Sequence, residues 1–408
     1  MGGDLAPNRP AGYDRLADAG SACSVITTLV TLGCYQSTGG PSKSIRAFQR
    51  ALNARVIAWV DPQELAAEPL VFDEPTVVRG SPAPVLRNVL YPRRQDLASA
   101  EQLLATSDLV SCHLFWRWHA PWVATMAQKH GFPFWLVPHG GLDPYVFQRS
   151  GFVKGVFINT VARPFLNRVS ALVCSTQREF DKAHPRAPHA RRCVAPWPLE
   201  PQDFRVQDVA ARALVRQRLG VPEDSLCLLF LGRLHPMKQP LETISALARS
   251  DAPRAHLILV GNPYGITTAE CEAHARRLGV GNRVHVIGPV FGSAKWDYMD
   301  ACDAYISLSH RENFNFSATE AMASGLPVIL SPGNDLACDL VSQDCGWMLP
   351  TVDAAEEAIE AAASLSAAHL AEKGGRARQW AVDSLQFEFF QKRVCSFAEM
   401  VTAGNCPS

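Results

Sequence analysis

Arg233 and Lys238 stand five residues apart in Gly232-Arg233-Leu234-His235-Pro236-Met237-Lys238, at the end of the apolar run 226–232. An arginine offers a planar fork to phosphate oxygens and a lysine adds a compact point charge, so the two can converge on one anion. Farther along, Glu312 and Glu320 are separated by seven residues in Arg311-Glu312-Asn313-Phe314-Asn315-Phe316-Ser317-Ala318-Thr319-Glu320. A carboxylate accepts two hydrogen bonds side by side, which suits the vicinal diol of a ribose or hexose. Each pair alone has a plainer reading. Surface Arg and Lys flank many turns, and Glu320 is compatible with a solvated helix face, although the Ala-Met-Ala-Ser-Gly that follows favours close packing.

Such residues need a frame. Short β-rich runs alternate with helix-like segments along most of the chain, which predicts parallel α/β architecture. In the first half strands are expected at 24–30, 55–60, 108–115, 133–139 and 171–176, with helices at 42–53, 119–130 and 151–168. A proline-rich stretch, 195–201, reads as the connection to a second alternating unit, since proline cannot continue a helix or an inner strand. After a polar helix at 204–219, strands follow at 226–232, 256–261, 283–288, 304–309 and 327–331, and an aromatic helical tail closes the chain. In open parallel sheets ligands bind beyond the carboxyl ends of strands. The Arg233–Lys238 loop follows one such end. Glu312 follows another, with Glu320 two turns into a helix expected to start near Asn313.

The first half offers candidates of the same placement. Ser37-Thr38-Gly39-Gly40-Pro41-Ser42 follows the first strand, and paired glycines let a backbone approach a ligand with a helix start behind them. The strand at 133–139 ends in His139-Gly140-Gly141, and His113 sits near another strand end. Phe115-Trp116-Arg117-Trp118-His119 would stack on a sugar acceptor or, as such clusters more often do, pack a loop against its helix.

At this point a resemblance becomes specific. Glu312-Asn313-Phe314-Asn315-Phe316 through Glu320 and on to Pro327 resembles the E-x7-E signature of retaining GT-B glycosyltransferases, glycosyltransferase family 4 in particular. Gly232-Arg233-Leu234 with Lys238 resembles that family's phosphate-binding segment. The resemblance is strong over roughly 225–350 and architectural over the N-terminal half. It implies an α/β GT-B fold, two Rossmann-like doubly wound domains facing each other across a cleft. It also implies transfer of a sugar from a nucleoside diphosphate sugar to an acceptor hydroxyl with retention, in polysaccharide or glycoconjugate synthesis. Arg233 and Lys238 would hold the diphosphate, Glu320 the ribose, and Glu312 the donor sugar, with Asn313, Phe314, Asn315 and Phe316 alongside. Gly39 and Gly40 would form the facing glycine loop, and His139 would reach the donor sugar. Asn313 and Asn315 replace the glycines of the commoner pattern, which asks those asparagines to tolerate left-handed backbone. No cofactor is expected beyond the nucleotide-sugar co-substrate, a UDP-sugar being the commonest choice, and no Asp-x-Asp or other cation site is found. Two other readings stay open: a sugar-nucleotide epimerase, or a binding subunit without turnover. A pyridoxal-phosphate phosphorylase fits less well, since none of the eight lysines lies in a recognisable cofactor segment.

Composition sets the outer limits. With 408 residues, 47% of them hydrophobic, the chain predicts two globular domains. The domains expected are 21–200 on the acceptor side and 201–375 on the nucleotide-sugar side. A polar leader (1–20) precedes them and a helical tail (376–408) packs back toward the N-terminal domain. Net charge is zero, yet residues 1–200 carry 21 Lys and Arg against 15 Asp and Glu, and residues 201–408 carry 18 against 24. The basic half admits an anionic acceptor, a saccharide or lipid-linked saccharide, and a peripheral membrane contact. Nothing points to nucleic acid. Twelve cysteines are scattered singly, several inside apolar runs, and no signal peptide is legible. That pattern favours a cytoplasmic protein, peripheral at most to the inner face of a membrane.

Overall fold

The computed structural model describes residues 23–35, 39–82, 90–148, 155–290 and 292–404. The leader expected at 1–20, together with Ser37 and Thr38, lies outside these. Eight strands form the first sheet: β1 (Thr27–Leu32), β2 (Arg55–Val60), β3 (Thr76–Pro82), β4 (Leu90–Pro92), β5 (Leu109–His113), β6 (Phe134–Val137), β7 (Ala171–Cys174) and β8 (Arg191–Val194). Their spatial order is β4-β3-β2-β1-β5-β6-β7-β8, parallel except where β4 runs against β3 at the edge. Six strands form the second: β9 (Cys227–Leu231), β10 (His256–Val260), β11 (Val284–Gly288), β12 (Ala304–Ser307), β13 (Val328–Leu330) and β14 (Gly346–Met348). Their order is β11-β10-β9-β12-β13-β14, all parallel.

Each sheet therefore reverses its strand order once, between β1 and β5 and between β9 and β12. At such a point neighbouring connections leave for opposite faces of the sheet, and a crevice opens beyond the strand ends. The segments after β1, β9 and β12 carry most of the candidate residues, and His139 follows β6, the neighbour of β5.

The long apolar strands behave as expected for a sheet covered on both faces: β5, β6, β7 and β10 are buried throughout. Strands β3, β4, β8 and β14 were not legible. Strand β8 begins with two exposed arginines, β3 contains Gly and Pro, and β4 and β14 have three residues each. Of the helix expected at 151–168, the described part is helical from 155 to 166 and contains a wide π-turn at Ile158–Ala162. Ile158, Ala162, Phe165 and Leu166 are buried in the core of the first sheet. The polar helix begins later than 204, at Val209, where the Asp208 carboxylate accepts from the N–H groups of Ala210 and Ala211.

The proline-rich stretch is a connection, but not an exposed one. Ala195, Trp197 and Leu199 are buried, and the Leu199 N–H donates to Leu385 O at 2.9 Å. Trp197 lies edge-on to Phe48 and Phe390, with ring centres 5.3 and 6.2 Å away. The tail consists of two helices, Ala367–Leu385 and Phe387–Ala403. The second returns to the first domain, where Phe390 meets Phe48 at 4.9 Å and Phe397 stacks on Trp135 at 5.8 Å. One apolar core thus runs through both domains and the tail.

Candidate active site between the two sheets

After β9 the chain turns through Gly232 and Arg233 into a short 3-10 turn, Pro236–Lys238. The His235 ring accepts the Met237 N–H at its Nδ1, and Gln239 adopts a left-handed φ of 55° before the helix Pro240–Arg249. Arg233 is exposed, with its guanidinium 5.2 Å from the centre of the Tyr264 ring. Lys238 is in ion-pair contact with Glu312. Burial, and secondarily Arg233, push the Lys238 ammonium down to about 8. The Glu312 carboxylate acts in the opposite sense and favours the charged form. Glu312 itself is fixed by its backbone, donating to Gly333 O and accepting from Asp335 N, both at 2.8 Å.

The helix after β12 starts later than expected. It spans Phe316–Ala323 with Asn315 as its N-cap, which places Glu320 one turn inside rather than two. Asn315 is committed to this job: its Oδ1 accepts from Ala318 N at 3.2 Å, and its Nδ2 donates to Asn334 Oδ1 at 3.0 Å. Its φ is −93°, and Asn313 is not among the positive-φ residues, so the left-handed tolerance expected of these asparagines is not used. The Asn313 carbonyl accepts from Ser175 Oγ at 3.4 Å, and Phe314 is buried against Phe316 and Trp197. Glu320 is almost fully buried. Its Oε1 accepts from Lys43 at 2.5 Å and its Oε2 from Lys295 at 2.6 Å.

From the other sheet, Gly39 (φ 77°) precedes the helix Gly40–Leu52. A Cβ on Gly40 would sit 3.2 Å from the Phe316 ring, so the bare backbone is what lets the two domains approach here. His139 ends the β6 loop at a φ of 48°, uncommon for a residue with a side chain. Its Nε2 faces His113 Nδ1 at 3.1 Å. Behind it, His113 Nε2 meets Ser111 Oγ at 2.9 Å, and the Trp135 indole N–H donates to the same hydroxyl. Burial pushes His139 down to about 3 and His113 well below the usual histidine range, so both rings are neutral. Of the aromatic cluster at 115–119, Phe115 and His119 are buried, and Trp116 packs on Phe147 and Phe157.

Beside the site a charged seam joins the domains. Arg311 donates to Gly140 O and lies 3.8 Å from Asp143, while Lys182 bridges Asp143 at 2.8 Å and Asp335 at 2.7 Å. Gly140 N donates to the buried Glu179 at 2.6 Å. Burial outweighs Lys182 and pushes Asp335 up to about 6. The structure therefore brings Lys238 together with Glu312 and Arg233, and Glu320 and Phe316 together with Lys43 and Gly40 of the facing domain. The turn of His139 meets the Glu312 turn where Arg311 donates to Gly140 O. Lys43, Lys295, Arg311 and Lys182 were missed. Lys43 had one legible signal, its place in the first turn of the helix behind the paired glycines. Among the described residues no group of three or more His, Cys, Asp or Glu is disposed to hold a metal ion, and no helix is long and apolar enough to cross a membrane.

Comparison with known proteins completes the description. Residues 212–378 match the family model described as glycosyl transferases group 1. The D-inositol 3-phosphate glycosyltransferase of Streptomyces avermitilis is 28% identical over 264 residues, 61% of this chain and 55% of that protein. The enzyme of the same description from Xylanimonas cellulosilytica is 36% identical over 173 residues, 42% of this chain and 40% of its own. The chain thus spans about half the length of the curated relatives it matches. Among solved structures, Anabaena Alr3699/HepE in complex with UDP superposes with a TM-score of 0.72 at 18% identity, over 91% of this chain and all of that one. The same protein in complex with UDP-glucose gives 0.68 at 19% identity, over 91% of this chain and 99% of the other. The shared fold is GT-B.

Proposed function

From a chain that carries a glycosyl transferases group 1 domain on a GT-B fold and resembles glycosyltransferase family 4, we propose a retaining glycosyltransferase that uses a nucleoside diphosphate sugar. The observation that carries this reading is the placing of Arg233, Lys238, Glu312 and Glu320 directly after β9 and β12, the neighbouring strands where the order reverses, with Lys238 paired to Glu312 and Gly40 of the facing domain against Phe316. Arg233 and Lys238 take the diphosphate, the leaving group, and stabilise the charge that grows on it. Glu320 accepts from the ribose diol. Glu312 positions Lys238 and lies beside the donor sugar, with backbone N–H groups of Asn313 to Phe316 nearby. His139 reaches the sugar from the opposite domain.

In the reaction the bond from the anomeric carbon to the β-phosphate oxygen breaks. The acceptor oxygen bonds to that carbon from the same face, and its proton passes to the departing phosphate. No general base on the protein is needed, and closure of the cleft excludes water that would hydrolyse the donor. The UDP and UDP-glucose complexes of the Anabaena protein support a UDP-sugar as donor. The acceptor is a saccharide or lipid-linked saccharide hydroxyl, and polysaccharide or glycoconjugate synthesis at the inner membrane face is the setting.

A thermal-shift screen of the full chain against UDP, GDP, ADP, TDP and their sugars tests the reading, because a ligand that binds only the folded state raises its apparent stability. One nucleotide should give a saturable shift, and its sugar should then label an acceptor. No shift with any of them, for a folded protein, would overturn the donor site. Release of a free sugar product without acceptor would favour an epimerase instead.

A further inference from the structure

The Glu320 carboxylate has no free oxygen. Oε1 is taken by Lys43 at 2.5 Å and Oε2 by Lys295 at 2.6 Å, and the group is only 3% exposed. Each oxygen keeps a second lone pair, but with the group this buried a ribose diol reaches both oxygens only if one of the two lysines moves aside. The two lysines differ in how firmly they are held. Lys295 is 20% exposed, and its ammonium sits 4.3 Å from the centre of the Trp296 ring. Lys43 is 47% exposed and reaches across from the opposite domain. The flexible, wetter cation is the one that leaves at least cost.

Lys43 has a second destination. It lies in the first turn of the helix Gly40–Leu52, whose N-cap Gly39 supplies no side-chain cap. Its ammonium is 5.4 Å from the centre of the Phe316 ring, and Phe316 begins the helix that carries Glu320. Two helix N-termini therefore approach each other with Lys43 between them. Helix N-termini favour anions, as does a lysine stripped of its carboxylate. Displaced, the half-exposed ammonium has lost its carboxylate partner. A diphosphate arriving with the ribose supplies the charge.

Resting on the nucleotide-sugar reading above, we infer that Lys43 is a donor-binding residue that exchanges partners: it leaves Glu320 when the ribose enters and binds the diphosphate. The site thereby distinguishes a nucleoside diphosphate from a bare nucleoside. Uridine must displace Lys43 and gives nothing back, whereas UDP replaces the lost ion pair.

Calorimetric titration of the full chain with UDP and with uridine, in wild type, Lys43→Met, Lys43→Arg and Glu320→Gln, tests this. Lys43→Met should weaken UDP on the order of tenfold or more, the worth of one charge-assisted hydrogen bond. It should leave uridine equal or tighter, and Lys43→Arg should restore much of the UDP preference. Equal weakening of both ligands would make Lys43 a structural brace. Tightening of both would make it only a competitor for Glu320. Either overturns the inference. Glu320→Gln should weaken both ligands; if neither changes, the ribose assignment fails and the exchange falls with it.

Discussion

Ser111→Ala should both loosen the N-terminal sheet and release the tautomer of His139. The Trp135 indole N–H can only donate, so Ser111 Oγ accepts from it. The buried hydroxyl proton then needs an acceptor, and among the described residues His113 Nε2 at 2.9 Å is the one within reach, which sets that bond's direction. A ring that accepts at Nε2 carries its proton on Nδ1, and His113 Nδ1 faces His139 Nε2 at 3.1 Å. His139 therefore accepts at Nε2 and keeps Nδ1–H as the donor it offers. Ser111, His113 and Trp135 are fully buried. Alanine at 111 leaves the indole N–H without an acceptor and the His113 ring without a donor. At about 1–3 kcal/mol for each orphaned group, the cost is roughly 2–6 kcal/mol. At about 2–4 °C per kcal/mol for a domain of this size, Tm should fall by roughly 4–24 °C. Long-range proton–nitrogen NMR of 15N-histidine protein should show His139 protonated at Nδ1 in the wild type and as a mixture in Ser111→Ala. A wild-type His139 protonated at Nε2, or an unchanged Tm in the variant, would refute the chain of donors.

Lys238→Met should reduce kcat by about 10²–10³, the effect of removing one charge stabiliser of a leaving group, with a smaller change in KM; steady-state kinetics with near-normal turnover would remove Lys238 from the site. Glu320→Gln should weaken nucleotide binding by roughly ten- to a hundredfold without lowering Tm to match, which calorimetry and a melting curve together would check. Asp339→Asn should raise Tm more at pH 8 than at pH 5. Burial, and then Asp335, push the Asp339 carboxyl up to about 7. A raised carboxyl pKa means the folded state resists ionisation, so stability is lost as pH rises from the ordinary carboxylate range through 7. A gain of equal size at both pH values would refute that cause.

The frame of the site was legible because its strands are apolar runs and its loops carry charge. LCLLFL and AYIS read as buried parallel strands without ambiguity, and the charged residues after them had to lie at strand ends. Strands β4, β8 and β14 escaped because a buried sheet ends in edge strands that need little apolar sequence: Arg191 and Arg192 of β8 are exposed. Strand β3, next to the edge, was hidden by its Gly80 and Pro82. The asparagines at 313 and 315 were read for backbone tolerance, whereas Asn315 works as a cap, a role set by where the helix begins. Partner choice was the least legible part. Glu320 meets Lys43 across 277 positions, and a sequence gives carboxylates and ammoniums without saying which will be neighbours.

The charged seam beside the site bears on what holds the cleft. A buried ion pair is worth little when desolvation of both partners offsets their attraction. Asp335 shows which side prevails here, since its pKa is raised to about 6 although Lys182 lies 2.7 Å away. Stability alone would favour apolar packing at that position. Directional contacts achieve something apolar packing cannot. Arg311 donates to Gly140 O, the residue after His139, and it is the neighbour of Glu312 in the chain. The turn that presents Glu312 from one domain is thus tied to the turn that presents His139 from the other. In this arrangement the seam sets the register of the two half-sites, and the shared apolar core around Trp197 supplies the cohesion.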